Sequence, residues 1–292
     1  MKIAFIGMGE AGCALVKGWG PARARHISAY DIKSDASDTA AEISDRYRSL
    51  GIEGTPSPAA AVEKAELVFS TVTADQALIA AQTAAPHIAP KAVWCDLNSC
   101  APGTKRLAAA VIEEAGGRYL DVAVMAPVYP KMNMVPLLIS GPHAADLEPV
   151  LASLPMAPRR VEGEVGRASS IKMIRSVMVK GMEALTAECV LAARAAGVED
   201  EVLASLQKSH PGTEWEAKSV YNLERMLVHG VRRAAEMEEV AKTLAELNLP
   251  NEIVEATVDW QRRISATAVA PPSETDPIGP VADSLLAALK AR

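Results

Sequence analysis

The chain has 292 residues, 49% of them hydrophobic and 23% charged, and its formal net charge at pH 7 is −6. That length exceeds one small domain and suits two, and the balance of apolar and charged residues excludes a disordered or fibrous chain. The net acidity argues against broad binding to nucleic acid or to an anionic membrane surface, both of which need a basic face.

Lys2 to Ile6 is a short apolar, β-branched run and predicts a buried strand. Gly7-Met8-Gly9-Glu10-Ala11-Gly12 follows it and fits G-x-G-x-x-G ahead of a helical segment, a dinucleotide-binding signature. Gly7 permits the tight turn, Gly9 lets the backbone approach a pyrophosphate, and Gly12 lets the helix pack close to the strand. Met8, Glu10 and Ala11 complete the set of candidate cofactor contacts, and the helix starting near Glu10 offers unpaired N–H groups and a positive dipole end to the phosphates. Glu10 also interrupts the apolar run too early for a secretory signal, although Ala11-Gly12-Cys13 resembles a lipoprotein cleavage site.

His26 to Tyr30 reads as the second strand and ends at Asp31, about 20 residues beyond the glycines, where a carboxylate accepts hydrogen bonds from the ribose of NAD. Asp31 repels a 2′-phosphate, so NAD is favoured; Lys33 and Ser34 lie close enough to hold that phosphate, which leaves NADP open. Ser37 to Leu50 is helical in composition, Gly51 to Gly54 is a short strand or connector, and Ser57-Pro58 opens another helix. Glu66 to Val72 and Ala92 to Asp96 are further strands, with helical Ala74 to Ala85 between them. The alternation implies an α/β domain with a largely parallel, doubly wound sheet of Rossmann type. Its ligand lies beyond the C-terminal strand ends, where Asp31, Val72 to Ala74 and Asp96 to Ser99 converge, with Thr71, Val72, Thr73 and Asn98 as candidate cofactor contacts.

Tyr119 to Val124, Pro136 to Ser140 and Arg159 to Val161 are the remaining strand candidates. Beyond Gly166 the pattern changes to steps of three and four, Ile171, Ile174, Met178, Met182, Leu185, Cys189 and Ala192, which make one long amphipathic helix. Helical patterns broken by Gly197, Pro211-Gly212 and Pro250 run on to Arg263, then a proline-rich linker from Ala268 to Pro280 precedes a last helix from Val281 to Ala291. The expected domains are therefore 1–164, binding dinucleotide, and 165–292, all-helical. The four cysteines lack zinc spacing and are too few for a disulfide scaffold, the five histidines are dispersed, and no uncharged run is long enough to span a membrane. A cytoplasmic protein without metal is the expectation.

Three further stretches resemble one family. Asp96-Leu97-Asn98-Ser99-Cys100-Ala101-Pro102 is similar to the D-x-S-T-x-x-P segment of the β-hydroxyacid dehydrogenases, the group that includes 3-hydroxyisobutyrate dehydrogenase and, more distantly, 6-phosphogluconate dehydrogenase. Tyr119-Leu120-Asp121-Val122-Ala123-Val124 resembles that family's substrate loop, [FY]-x-D-A-P-V, and 163–172 matches its G-x-x-G-x-[GA]-x-x-x-K. The resemblance implies that Lys172 is the general acid or base on a substrate hydroxyl or carbonyl, that Asn98 and Ser99 bond substrate or the nicotinamide amide, and that Asp121, Val124 and Met125 line the substrate. It also implies a homodimer through the helical domain. Chemistry supports the lysine independently, since hydride transfer from an alcohol needs a group to remove the hydroxyl proton.

The departures from the family pattern fall on the substrate side. Ser176 stands one turn beyond Lys172, where the family has asparagine; it can donate a hydrogen bond, with shorter reach. Met125-Ala126-Pro127 replaces Ser-Gly-Gly, and Pro127 has no N–H and Met125 no hydroxyl with which to cradle a carboxylate. His229, Arg232, Arg233 and Glu236 share a helix face, which is either a solvated stripe with an Arg232–Glu236 pair or a source of anion-binding groups, His229 and Arg233 foremost. The leading expectation is an NAD-dependent dehydrogenase of a small, anionic hydroxy compound. Imine or carbonyl reduction on the same scaffold and a non-catalytic dinucleotide sensor are the alternatives. A flavin lacks a second binding segment.

Overall fold

In the strand β1 (Ile3–Ile6), Ile3 and Phe5 join one apolar cluster while Ala4 and Ile6 join another. A strand covered on both faces needs an apolar residue at every position, which is why IAFI carries no polar side chain. The structure is a computed structural model and describes residues 1–291. From β1 the chain runs through α1 (Glu10–Trp19) and α2 (Pro21–Ala24) to β2 (Ile27–Tyr30), then α3 (Ala40–Leu50), β3 (Glu53–Gly54), α4 (Pro58–Val62) and β4 (Leu67–Ser70). Next come α5 (Ala77–Ala84), β5 (Val93–Asp96), α6 (Pro102–Glu114), β6 (Arg118–Val124), β7 (Pro136–Ser140), α7 (Ala144–Ser153) and β8 (Ala157–Arg160).

The eight strands form one sheet in the order β3-β2-β1-β4-β5-β6-β7-β8, parallel throughout except where β7 runs against β6. Ile6 pairs with Tyr30 and Ser70, Ser70 with Asp96, and Asp96 with Asp121. The C-terminal ends of β2, β1, β4 and β5 are therefore level, β6 continues past them to Val124, and the loops leaving these strands share one edge. The doubly wound α/β expectation holds for this half. Helices α6 and α7, which the sequence pattern does not announce, supply two of the crossovers.

The described residues form two compact units, the first of them Met1–Met173. The division falls inside α8 (Arg167–Ala196), so that the first turns of this helix go with the sheet, beyond the break expected at 164/165. Helix α8 also starts ahead of Ile171, since Gly166 at φ 101° ends the preceding loop directly before it. The second unit, from Ile174 on, is helical: the remainder of α8, α9 (Glu199–Ser209), α10 (Trp215–Glu246), α11 (Glu252–Ala266) and α12 (Ile278–Lys290). Its core joins Val190 and Leu191 of α8, Leu223 and Met226 of α10, Ile264 of α11 and Leu285 of α12. Among the described residues no helix is long and apolar enough to cross a membrane.

Candidate active site

The turn between β1 and α1 is built for close approach. Gly7 sits at φ 88°, and a Cβ there would lie 2.7 Å from the Thr71 backbone oxygen, so no other residue fits. A Cβ on Gly12 would meet the Gly7 oxygen, Met8 Sδ and Thr71 Oγ1, each at 3.1 Å. At Gly9, by contrast, nothing stands within 4 Å of where a Cβ would be. Gly9 is also the N-cap of α1 and supplies no side-chain cap, so the first N–H groups, beside exposed Glu10 and half-buried Ala11, are left to another acceptor.

Asp31 fixes this turn from the end of β2. Its Oδ2 accepts the Met8 N–H at 2.7 Å and its Oδ1 the Lys33 N–H at 3.0 Å. Each oxygen keeps a second lone pair for a ribose hydroxyl. Arg46 Nη1 donates to the Met8 carbonyl at 2.7 Å, a contact that sequence spacing does not reveal. The Ser34 hydroxyl donates to the Asp31 carbonyl, and Tyr30 donates to Asp35 at 2.6 Å; burial and this acidic partner push the Tyr30 phenol up to about 12. Two carboxylates thus stand at the end of β2. From β4, Thr71 Oγ1 donates to the Gly7 carbonyl at 2.6 Å, half-buried Val72 lies against Gly7, and Thr73 follows, exposed.

The loop after β5 brings the remaining predicted groups of the first unit together. Asn98 donates its backbone N–H to Asp96 Oδ1 and its side-chain amide to Ser70 Oγ, both at 2.9 Å. Its amide oxygen is buried and has no partner, a state that costs free energy unless a ligand supplies a donor. Ser99, next in the chain, accepts a hydrogen bond from Lys172 Nζ at 2.5 Å. Lys172 and Ser99 are both half-buried.

Asp121 does not line a substrate space as expected: it is fully buried. Its Oδ2 accepts from Ser140 Oγ, the Gly166 N–H, the Ser169 N–H and Ser169 Oγ, all between 3.0 and 3.1 Å. Its Oδ1 faces Lys105 Nζ at 3.6 Å. Lys105, on α6, is itself fully buried and donates to the Asp96 carbonyl at 2.6 Å and to Asp96 Oδ1 at 3.0 Å. Burial alone would lower the Lys105 ammonium, but the field of Asp96, then of Cys100 and Asp121, and the hydrogen bond to Asp96 hold it above its ordinary range. Tyr119 donates to the other Asp96 oxygen at 2.6 Å, and burial ahead of these carboxylates raises its phenol. The sequence hinted at none of this, because a lysine inside an apolar helix normally reads as exposed.

Met125 spends its N–H on the Pro136 carbonyl at 2.9 Å, and its side chain packs with Ile171 against a small cluster of Ala123, Leu138 and Ala168. Val124, half-buried, pairs with Leu137. In the second unit, Ser176 is buried and accepts from Lys180 Nζ at 3.1 Å, while Lys180 pairs with Glu236 at 2.9 Å. His229 is half-buried on α10. Arg233 is not an open anion receptor: it makes a two-pronged contact with buried Glu183, which also accepts from Gln261 at 2.7 Å. Arg232 pairs with Glu236 at 3.5 Å, as a solvated stripe would have it, but its neighbour Arg233 belongs to the interior.

Residues 2–152 match the family model described as the NAD binding domain of 6-phosphogluconate dehydrogenase, and residues 193–264 match a domain of unknown function, DUF1932. A conserved hypothetical protein from Sinorhizobium meliloti 1021 superposes with a TM-score of 0.79 at 35% identity, over 99% of this chain and 96% of that one. A conserved protein of unknown function, described as structurally similar to 3-hydroxyacid dehydrogenases, gives 0.69 at 28% identity over 92% and 100% of the two chains. The 3-hydroxyisobutyrate dehydrogenase of Mycobacterium tuberculosis, solved with L-serine, gives 0.71 at 16% identity over 99% and 98%, a likeness of fold.

Proposed function

The chain belongs to the family built on the NAD binding domain of 6-phosphogluconate dehydrogenase, and on that premise we propose that it is a nicotinamide-dependent oxidoreductase in which Lys172 moves the substrate proton. The observation that carries this reading is the contact of Lys172 Nζ with Ser99 Oγ, one residue from the orphaned amide oxygen of Asn98. The residues present fit a dinucleotide. The β1–α1 turn is closed by its own neighbours at Gly7 and Gly12 and open at Gly9, and the α1 N-terminus has no side-chain cap.

A nicotinamide held by this turn would supply hydride chemistry between an alcohol carbon and a carbonyl carbon. The chain's own groups do the rest. In the oxidising direction the neutral Lys172 amine takes the hydroxyl proton; in the reducing direction the ammonium returns one to the carbonyl oxygen. Ser99 orients the amine by accepting from it, and Asn98 Oδ1, buried without a partner, would be the acceptor for an N–H of the nicotinamide carboxamide. NAD is favoured over NADP, because Asp31 and Asp35 place negative charge at the end of β2 and the Ser34 hydroxyl is already spent on the Asp31 carbonyl. The active form is a homodimer, a reading supported by Ile174, Met178 and Leu185, which are 48%, 65% and 64% exposed along one face of α8.

The substrate is a small hydroxy compound or its carbonyl form. Imine or ketone reduction is the second reading, favoured by Met125: its N–H is committed to Pro136, Pro127 has none, and the Met125 side chain packs against an apolar cluster. A panel of 3-hydroxy acids with NAD, set beside cyclic imines and ketones with NADH, separates the two. Oxidation of a hydroxy acid supports the first, and reduction confined to uncharged imines or ketones supports the second. NADH binding with no Lys172-dependent turnover of any compound identifies a sensor instead.

A further inference from the structure

We propose that Lys105 is a positioning residue for this active site, holding Ser99 and Lys172 in register; the inference rests on the acid–base role given to Lys172 above. Lys105, Asp96 and Asp121 are all 0% exposed, so one ammonium and two carboxylates are enclosed together. Such a cluster is a poor way to gain stability, since apolar residues of similar volume commonly serve a core as well or better. The sheet positions around it, Cys95, Leu120 and Val122, are filled in just that apolar way. What the cluster adds is a tie between two pieces of chain far apart in sequence.

One arm of the tie runs to the loop that carries Ser99. Lys105 donates to the Asp96 carbonyl and to Asp96 Oδ1, and the same Oδ1 receives the Asn98 N–H. The other arm runs to the start of α8. Lys105 faces Asp121 Oδ1 at 3.6 Å, an ion pair without a hydrogen bond, while Asp121 Oδ2 receives the N–H groups of Gly166 and Ser169 and the Ser169 hydroxyl. Ser140 reinforces this arm, donating to Asp121 and accepting the Ala168 N–H at 2.9 Å. A carboxylate at a helix N-terminus is well placed to take those unpaired donors. Lys172 stands three residues beyond Ser169, on the same side of the helix. The two groups that meet at 2.5 Å, Ser99 and Lys172, are thus suspended from two carboxylates that share one buried ammonium.

The test uses the full chain with two variants. Lys105→Met keeps the apolar stem and removes the ammonium. Lys105→Met/Asp96→Asn removes one positive and one negative charge, so the net charge of the cluster is unchanged should the single variant not fold. In the folded variant, NADH affinity and KM for the fastest panel substrate are expected to stay within about threefold of wild type while kcat falls about 10²-fold, the signature of a misplaced catalytic group. Backbone amides of Gly166 and Ser169, followed by NMR, are expected to exchange at least about tenfold faster, with those of β1 unchanged, because only the local tie is loosened. A folded variant with wild-type kcat, or with wild-type exchange at Gly166 and Ser169, overturns the proposal. If the wild type turns over nothing on the panel, the acid–base reading of Lys172 fails, and the exchange measurement still decides whether Lys105 holds the start of α8.

Discussion

Lys172 and Ser99 are 73 residues apart in the chain, yet the lysine Nζ lies 2.5 Å from the serine hydroxyl oxygen. A hydrogen bond from a charged donor contributes about 1.5–3 kcal/mol, so Ser99→Ala is expected to lower kcat about 10- to 100-fold if the contact persists in the transition state. Ser99→Thr restores most of it, because the hydroxyl is retained. Steady-state kinetics with the best panel substrate, alongside an NADH titration that should not change, checks both expectations.

Asp31 holds the glycine turn through the Met8 and Lys33 N–H groups, and in the proposed function it also takes the ribose hydroxyls. In Asp31→Ala the Met8 and Lys33 N–H groups lose their acceptor, a cost of about 1–3 kcal/mol in stability for partly buried donors. NADH affinity should fall by more than NADPH affinity, because the lost carboxylate serves the ribose hydroxyls and repels a 2′-phosphate. Fluorescence titrations with both nucleotides measure the two losses. Equal losses would remove Asp31 from the choice of cofactor.

The sheet and the glycine turn were legible in the sequence because their signals are local. IAFI has to be apolar throughout to lie inside a two-sided sheet, and Gly7 has to be glycine with Thr71 so close. Helix α6 escaped notice because Pro102-Gly103 opens it like a turn, although proline is well suited to the first helical position. Lys105 escaped for a different reason: its partners Asp96 and Asp121 lie on two strands, and only the parallel pairing of β5 with β6 brings them together. Asp121 carried the right family pattern but the wrong expectation, since what it holds is the start of α8. Long-range partners decide such cases, and no periodicity records them.

Arg233 shows the same limit in the second unit. Its partner Glu183 is 50 residues away, and both side chains are nearly enclosed. Arg233→Ala leaves the Glu183 carboxylate buried with only Gln261 as a donor among the contacts above, and is expected to destabilise the unit by about 3–5 kcal/mol. Arg233→Met/Glu183→Leu, which removes both charges, should recover most of that loss. Urea unfolding of the two variants provides the comparison. A normal unfolding midpoint with a raised KM for Arg233→Ala would instead restore the anion-binding role.

The exposed face of α8 gives the prediction for assembly. Replacing Met178 and Leu185, both more than half exposed, by glutamate puts two charges on that apolar stripe. Light scattering is expected to show a dimer for the wild type and a monomer for Met178→Glu/Leu185→Glu, with the far-ultraviolet circular dichroism of the two alike. A wild-type monomer would contradict the assembly.

The most direct measurement is deuteride transfer from C4-deuterated NADH to the best carbonyl or imine of the panel, in the wild type and in Lys172→Met. Deuterium is expected in the wild-type product, with turnover about 10²-fold or more lower in Lys172→Met and NADH affinity within about threefold in both. Turnover by Lys172→Met at the wild-type rate would contradict the acid–base role of Lys172.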